Sequence, residues 1–163
     1  MVVFDASLFR LMGSLVALAA LFVILLAISV IDWRTRRIPN ALIITLIMLR
    51  LVVLGADVVL GPPEPVLKGF AESLVTALLF VGALLALKGM MERSLHKDCM
   101  GLGDVKLLAA GCLFLDLEQA MVALALASVM GIAIALYVRV TRGDATFPFG
   151  PALCCGLFVA LFL

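Results

Sequence analysis

A single histidine, His96, stands in a chain of 163 residues, and only 14% of the residues are charged. One histidine leaves little material for a His-based metal cluster or a Ser-His-Asp triad. Cysteine is no better supplied as a framework. Cys99, Cys112, Cys154 and Cys155 form no C-x-x-C pair, and the adjacent Cys154 and Cys155 are badly spaced for a disulfide or for zinc. They read as ordinary buried thiols, and no metal site is expected. The net charge of +1 carries no signature of a nucleic-acid partner, and none is expected. What the chain has in excess is apolar side chain: 66% of it is hydrophobic. Soluble domains hold about 45–50% apolar residues, so a water-soluble core of this size cannot hide so many. The lipid bilayer is the expected solvent.

Six apolar runs lie at about 8–31, 41–60, 66–87, 105–115, 120–138 and 151–163. A full crossing needs ~20 residues, so the fourth and sixth runs are short. The first run is longer than a signal-peptide core, and its arginines follow rather than precede it, so it reads as a retained helix. The expected fold is all-α: a polytopic membrane bundle of about six transmembrane helices. It forms one membrane-embedded domain over 1–163, with no room left for a soluble domain.

The loops alternate in charge. Arg34, Arg36 and Arg37 follow the first run, Lys88, Arg93, Lys97 and Lys106 surround the third loop, and Arg139 and Arg142 follow the fifth run. The second loop mixes Asp57, Glu64 and Lys68, and the fourth carries Asp116 and Glu118. The positive-inside rule then puts loops one, three and five in the cytoplasm and both termini outside.

Two aspartates fall on that cytoplasmic side. In "SVIDWRTRRIPNALI" (29–43), Asp32 ends the first helix, Trp33 suits the interface, and Asn40 after Pro39 can cap the second helix. In "MGLGDVKLLAAG" (100–111), Gly101 and Gly103 permit close backbone approach, and Asp104 begins the fourth helix. Each aspartate alone has a plain reading: Asp32 as an interfacial charge beside Arg34 or Arg36, Asp104 as a helix cap, with Lys106 snorkelling to the surface. Taken together they sit at similar depth, and ionisable groups at membrane depth point to function. Two carboxyls sharing a site cannot both ionise easily, so one takes a proton from water while the other gives one to a substrate carbonyl oxygen. That arrangement hydrolyses a peptide bond without a metal or a covalent nucleophile.

"GLGDVKL" (101–107) resembles the GxGD motif of membrane-embedded aspartyl proteases, and "DWRTRRIPN" (32–40) resembles the first-aspartate region of the type IV prepilin peptidases. "FPFGPAL" (147–153) is similar to the stretch before that family's last helix. The resemblance covers nearly the whole chain. It implies that Asp32 and Asp104 are catalytic, with Gly101, Gly103, Lys106, Pro148, Phe149, Gly150 and Pro151 as supporting motif residues. It implies no cofactor. It also implies a cytoplasmic-side cut at the inner membrane, removing a short basic leader from prepilin or pseudopilin precursors. The larger bifunctional members add a segment with paired CxxC cysteines and methylate the new N-terminus. Here the loop 34–40 is short and no such pair exists, so the chain looks most like the small peptidase-only form of Tad/Flp-type pilus systems. Archaeal preflagellin-type peptidases are also similar.

Other residues carry weaker expectations. The stretch 88–104 reads either as a flap over Asp104 or as an amphipathic interfacial segment, with Glu92 and Asp98 able to attract a basic leader or to pair with Arg93 or Lys97. Glu72 is expected at an interface or paired with Arg50. Ala123, Ala125, Ala127, Ser128 and Gly131 are expected to let helices pack closely. Two rival functions stand beside the peptidase: a small proton-coupled carrier, and a non-catalytic pilus or secretion assembly subunit. A carrier would need its aspartates reachable from both sides, and such sites usually lie near the midplane.

Overall fold

The computed structural model describes residues 2–95, 101–142 and 148–163. Among them the chain forms six helices: α1 (Val2–Thr35), α2 (Asn40–Leu60), α3 (Pro63–Leu95), α4 (Leu102–Cys112), α5 (Leu117–Arg142) and α6 (Gly150–Ala160). Among the described residues, four stretches are long and apolar enough to cross a membrane: Leu11–Thr35, Asn40–Leu60, Pro63–Met90 and Leu117–Thr141. α4 and α6 have 11 residues each. At 1.5 Å per residue they are about 16 Å long, roughly half the thickness of a bilayer core. Their shortness agrees with the short fourth and sixth apolar runs.

Local chemistry sets the helix ends. α1 stops because Arg36 takes a left-handed conformation (φ 53°), and its N–H returns to the Asp32 carbonyl at 2.8 Å. This is the single-bond left-handed C-cap, here adopted without the usual glycine. Pro39, with φ −66° and ψ 128°, precedes α2 and cannot extend a helix backward. α5 opens with a reciprocal capping box. Gln119 N–H donates to Asp116 Oδ1 at 2.8 Å, and Asp116 N–H donates to Gln119 Oε1 at 3.3 Å.

The two short helices are the most enclosed. α4 buries Val105, Leu107, Leu108, Ala110, Gly111 and Cys112. α6 buries Ala152, Leu153, Cys154, Gly156, Leu157 and Ala160. The long helices surround them and turn apolar side chains outward: Val16, Val52, Leu78 and Val129 are each more than 60% exposed. Such a surface is costly in water and suits lipid tails.

Close backbone approach holds the centre together. A Cβ at Gly156 would lie 2.5 Å from the Ala123 carbonyl oxygen and 3.1 Å from Ala127 Cβ. Ala120, Ala123, Ala127 and Gly131 therefore form the buried, small-residue face of α5 toward α6. Ala125 and Ser128, expected to join it, are exposed instead, because they point to other sides of the helix. Ser128 Oγ donates to the Leu124 carbonyl on its own helix at 2.7 Å. A Cβ at Gly111 would likewise meet Leu157 Cδ1 at 2.5 Å, which seats α4 on α6.

Of the two readings of Glu72, the pairing with Arg50 does not form, and Glu72 is exposed. The Arg50 Nε donates to the Leu113 carbonyl at 2.7 Å, and its guanidinium lies between the rings of Phe70 (5.7 Å) and Phe114 (5.6 Å). A carbonyl left open just past the end of α4 and two aromatic faces satisfy the charge better than an exposed carboxylate. The thiols divide as well: Cys112 and Cys154 are buried, whereas Cys155 is exposed. Cys99 and His96 lie outside the described residues.

Candidate active site

The end of α1, the start of α4 and the start of α6 meet at one end of the bundle. Asp32, in the last turn of α1, is only 5% exposed. The carboxylate accepts the Gly150 N–H, at the first residue of α6, with Oδ2 at 2.9 Å. That N–H has no partner inside its own helix, as is true of every helix N-terminus, so an acceptor from α1 completes it. The approach demands glycine: a Cβ at position 150 would lie 2.6 Å from Asp32 Oδ2 and 2.9 Å from Cγ. Pro151 follows in the first turn, where its missing N–H costs nothing. Pro148 is buried just before.

Asp104 sits on α4, but not at its cap. Gly101 is the N-cap residue, and the Asp104 N–H returns to the Gly101 carbonyl at 3.2 Å. The side chain folds back over that glycine: a Cβ at Gly101 would lie 3.3 Å from Asp104 Oδ2. Gly103 faces the α1–α2 connection, where a Cβ would stand 3.3 Å from Ile38 Cβ. The two glycines of the motif thus make room for a carboxyl on one side and for the neighbouring loop on the other.

The two carboxyls interact electrostatically. Burial pushes Asp104 up from its ordinary value to about 6, and the charge of Asp32 adds to the rise. Cys154, buried on α6, lies within electrostatic reach of both aspartates. A shared pair of carboxyls, one hydrogen-bonded to a helix N-terminus and the other holding its proton to higher pH, is suited to paired acid and base work.

Asn40 does something other than expected, while Lys106 is exposed, as its snorkelling reading requires. Asn40 is the first residue of α2 and makes no cap bond; its Oδ1 accepts from Lys106 Nζ at 3.3 Å. The two residues stand among the lining of an apolar groove of about 520 Å³ between α2, α3 and α4, which also includes Ile47, Leu78 and Leu113. Phe149 was legible only as part of a motif. In the structure its ring fills the space beside Gly131 of α5. Residues 88–95 of the expected flap continue α3, and Glu92 pairs with Lys88 at 3.1 Å. Asp98 and Lys97 lie outside the described residues. No group of His, Cys, Asp and Glu able to hold a metal ion occurs among the described residues.

Comparison with known proteins shows a family. The type IV leader peptidase family matches residues 19–136. The prepilin leader peptidase/N-methyltransferase of Escherichia coli (strain K12) is 31% identical over 147 residues, covering 89% of this chain and 62% of that protein. The chain therefore spans less than two thirds of that relative's length. No solved structure matches.

Proposed function

This chain belongs to the type IV leader peptidase family, and on that premise we propose that it is a membrane aspartyl endopeptidase with Asp32 and Asp104 as its catalytic pair. Its substrates are prepilin or pseudopilin precursors of the Flp type, from which it removes a short basic leader. The observation that carries this reading is the Gly150 N–H at the start of α6 donating to Asp32 Oδ2 at 2.9 Å, with Asp104 near enough to act on Asp32 electrostatically.

The chemistry follows from the asymmetry of the pair. Asp32 works as the carboxylate, because the N–H donated by Gly150 strengthens as its acceptor oxygen gains charge. Asp104, pushed up to about 6, supplies the proton. Asp32 takes a proton from water, and the water oxygen attacks the scissile carbonyl carbon. Asp104 gives its proton to the carbonyl oxygen, leaving a tetrahedral diol. Asp32 then passes its proton to the amide nitrogen, Asp104 recovers one from a diol hydroxyl, and the C–N bond breaks to give an acid and an amine. Both aspartates end as they began. The reaction uses water and two carboxyls, with no cofactor.

Charge placement supports a cytoplasmic active site in the inner membrane. The end of the bundle that holds the aspartates also carries Arg34, Arg36, Arg37, Lys88, Arg93, Lys106 and Arg139, with Glu92, while Asp57, Glu64, Asp116 and Glu118 lie toward the other end, with Lys68. An uncut leader would lie on the basic side. The groove between α2, α3 and α4 suits the apolar segment that follows the cut in such precursors.

The test is co-expression with a Flp-type prepilin and intact-mass measurement of the precursor, at matched membrane levels. Wild type should cut once behind the basic leader, adding no methyl mass. Asp32→Asn and Asp104→Asn should each lose at least about a hundredfold in rate, the scale of a lost acid or base. Full cleavage by either variant would remove that aspartate from the mechanism. An inactive wild type whose aspartates are reachable alternately from both sides would favour a carrier.

A further inference from the structure

We propose that Gly131 of α5 is a positioning residue for Asp32, acting through the ring of Phe149 and the first turn of α6. The proposal rests on the catalytic pair above. It links three helices through close contacts. A Cβ at Gly131 would lie 2.5 Å from Phe149 Cε2 and 2.9 Å from Cδ2, so the ring occupies the space a side chain would need. Phe149 is the N-cap of α6, with φ −91° and ψ −21°, and its carbonyl accepts the Leu153 N–H at 3.1 Å. Its neighbour Gly150 donates to Asp32 at 2.9 Å.

α6 cannot slide away to absorb a larger residue at 131. Further along, Gly156 is pressed against the Ala123 carbonyl and Ala127, and Leu157 against Gly111. With that part of α6 held, pressure on the Phe149 ring tilts the first turn. Moving the Gly150 N–H by about 1 Å is enough to break a bond of this length. The empty space at Gly131 thus sets the aim of a donor on another helix at a carboxylate on a third.

The expected signature is a change in the ionisation of Asp32. Titratable groups that interact with it include Asp104 of α4 and the Cys154 thiol of α6. Arg34 and Arg36 follow it at the end of α1, and the charges of α2, Arg50 and Asp57, lie well down that helix. Withdrawing the Gly150 N–H leaves this balance without its backbone donor, so the acid limb of the pH–rate profile moves up.

The experiment compares wild type, Gly131→Ala, Phe149→Leu and the double variant in membranes, on a prepilin precursor. Gly131→Ala should lower kcat about ten- to a hundredfold with little change in KM, the scale expected for misplacement of about 1 Å. Its acid limb should rise by about one pH unit, as fits loss of a donor to a charged oxygen. The smaller Leu in the double variant should restore most of both. Selective ¹⁵N-glycine labelling supplies a readout independent of turnover: the Gly150 amide proton should move upfield in Gly131→Ala and return in the double variant.

Wild-type kcat, acid limb and amide shift in Gly131→Ala would overturn the proposal. So would a double variant no better than the product of the two single effects. If Gly131→Ala does not accumulate, a double variant that accumulates with the wild-type acid limb supports the linkage, and one that also fails to accumulate refutes it. A wild type that cuts no precursor would overturn the proposed function, while the amide shifts would still decide this linkage.

Discussion

The backbone N–H of Gly150 donates to Asp32 Oδ2 at 2.9 Å, joining positions 118 residues apart in the chain. The first residue of one short helix thereby orients the last-turn carboxylate of a long one. Gly150→Ala would put a methyl group 2.6 Å from that oxygen. The expected result is a loss of precursor cleavage of about a hundredfold, the scale of a 1 Å misplacement. Helical content by circular dichroism should be unchanged. Wild-type cleavage by Gly150→Ala would show that the contact does no catalytic work.

Asp104, pushed up to about 6 by burial and by Asp32, has two pH consequences. As the proposed acid it must be protonated, so kcat/KM should fall as pH rises through about 6, the apparent value belonging to the pair. Stability moves the same way. The folded state keeps a proton that the unfolded chain loses near 3.8, so this contribution is full below 3.8 and is lost as pH rises through about 6. Asp104→Asn cannot ionise and escapes that loss. In detergent it should be more stable than wild type at pH 8, by about 1–3 kcal/mol, relative to the difference at pH 4. Thermal unfolding at the two pH values checks it; a pH-independent difference would contradict the assignment.

The α5–α6 seam depends on the absence of a side chain at Gly156, where a Cβ would stand 2.5 Å from the Ala123 carbonyl oxygen. Gly156→Val should cost about 1–3 kcal/mol, the usual range for overpacking, and should show as a lower unfolding temperature in detergent. Ser128→Ala, on the exposed side of α5, should change it little.

Arg50 is predicted to act in stability rather than in chemistry. Its bond to the Leu113 carbonyl and its place between Phe70 and Phe114 tie α2 to the end of α4 and to α3. Arg50→Met should destabilise by about 1–3 kcal/mol, because it leaves that carbonyl without its donor. Cleavage per folded molecule should stay near wild type. Glu72→Gln should have no comparable effect on stability, since that side chain is exposed.

Much of this protein can be read along the chain, because hydropathy, charge alternation and helix-ending residues act locally. The apolar runs located the four long spans and the two short helices. The distribution of Arg and Lys gave an expected orientation, and the stretches around Asp32, Asp104 and Gly150 marked the candidate site. Tertiary structure decided what each of those residues touches. It made Gly101 rather than Asp104 the cap of α4, turned Asn40 from a cap into an acceptor for Lys106, and gave Arg50 a carbonyl and two rings in place of Glu72. It also chose Ala123, Ala127 and Gly131, but not Ala125 or Ser128, as the face that meets α6. Small residues and unpaired helix ends announce that close contact is possible. Which contact forms depends on how helices distant in sequence are rotated against one another, and that rotation is settled only when all of them pack at once.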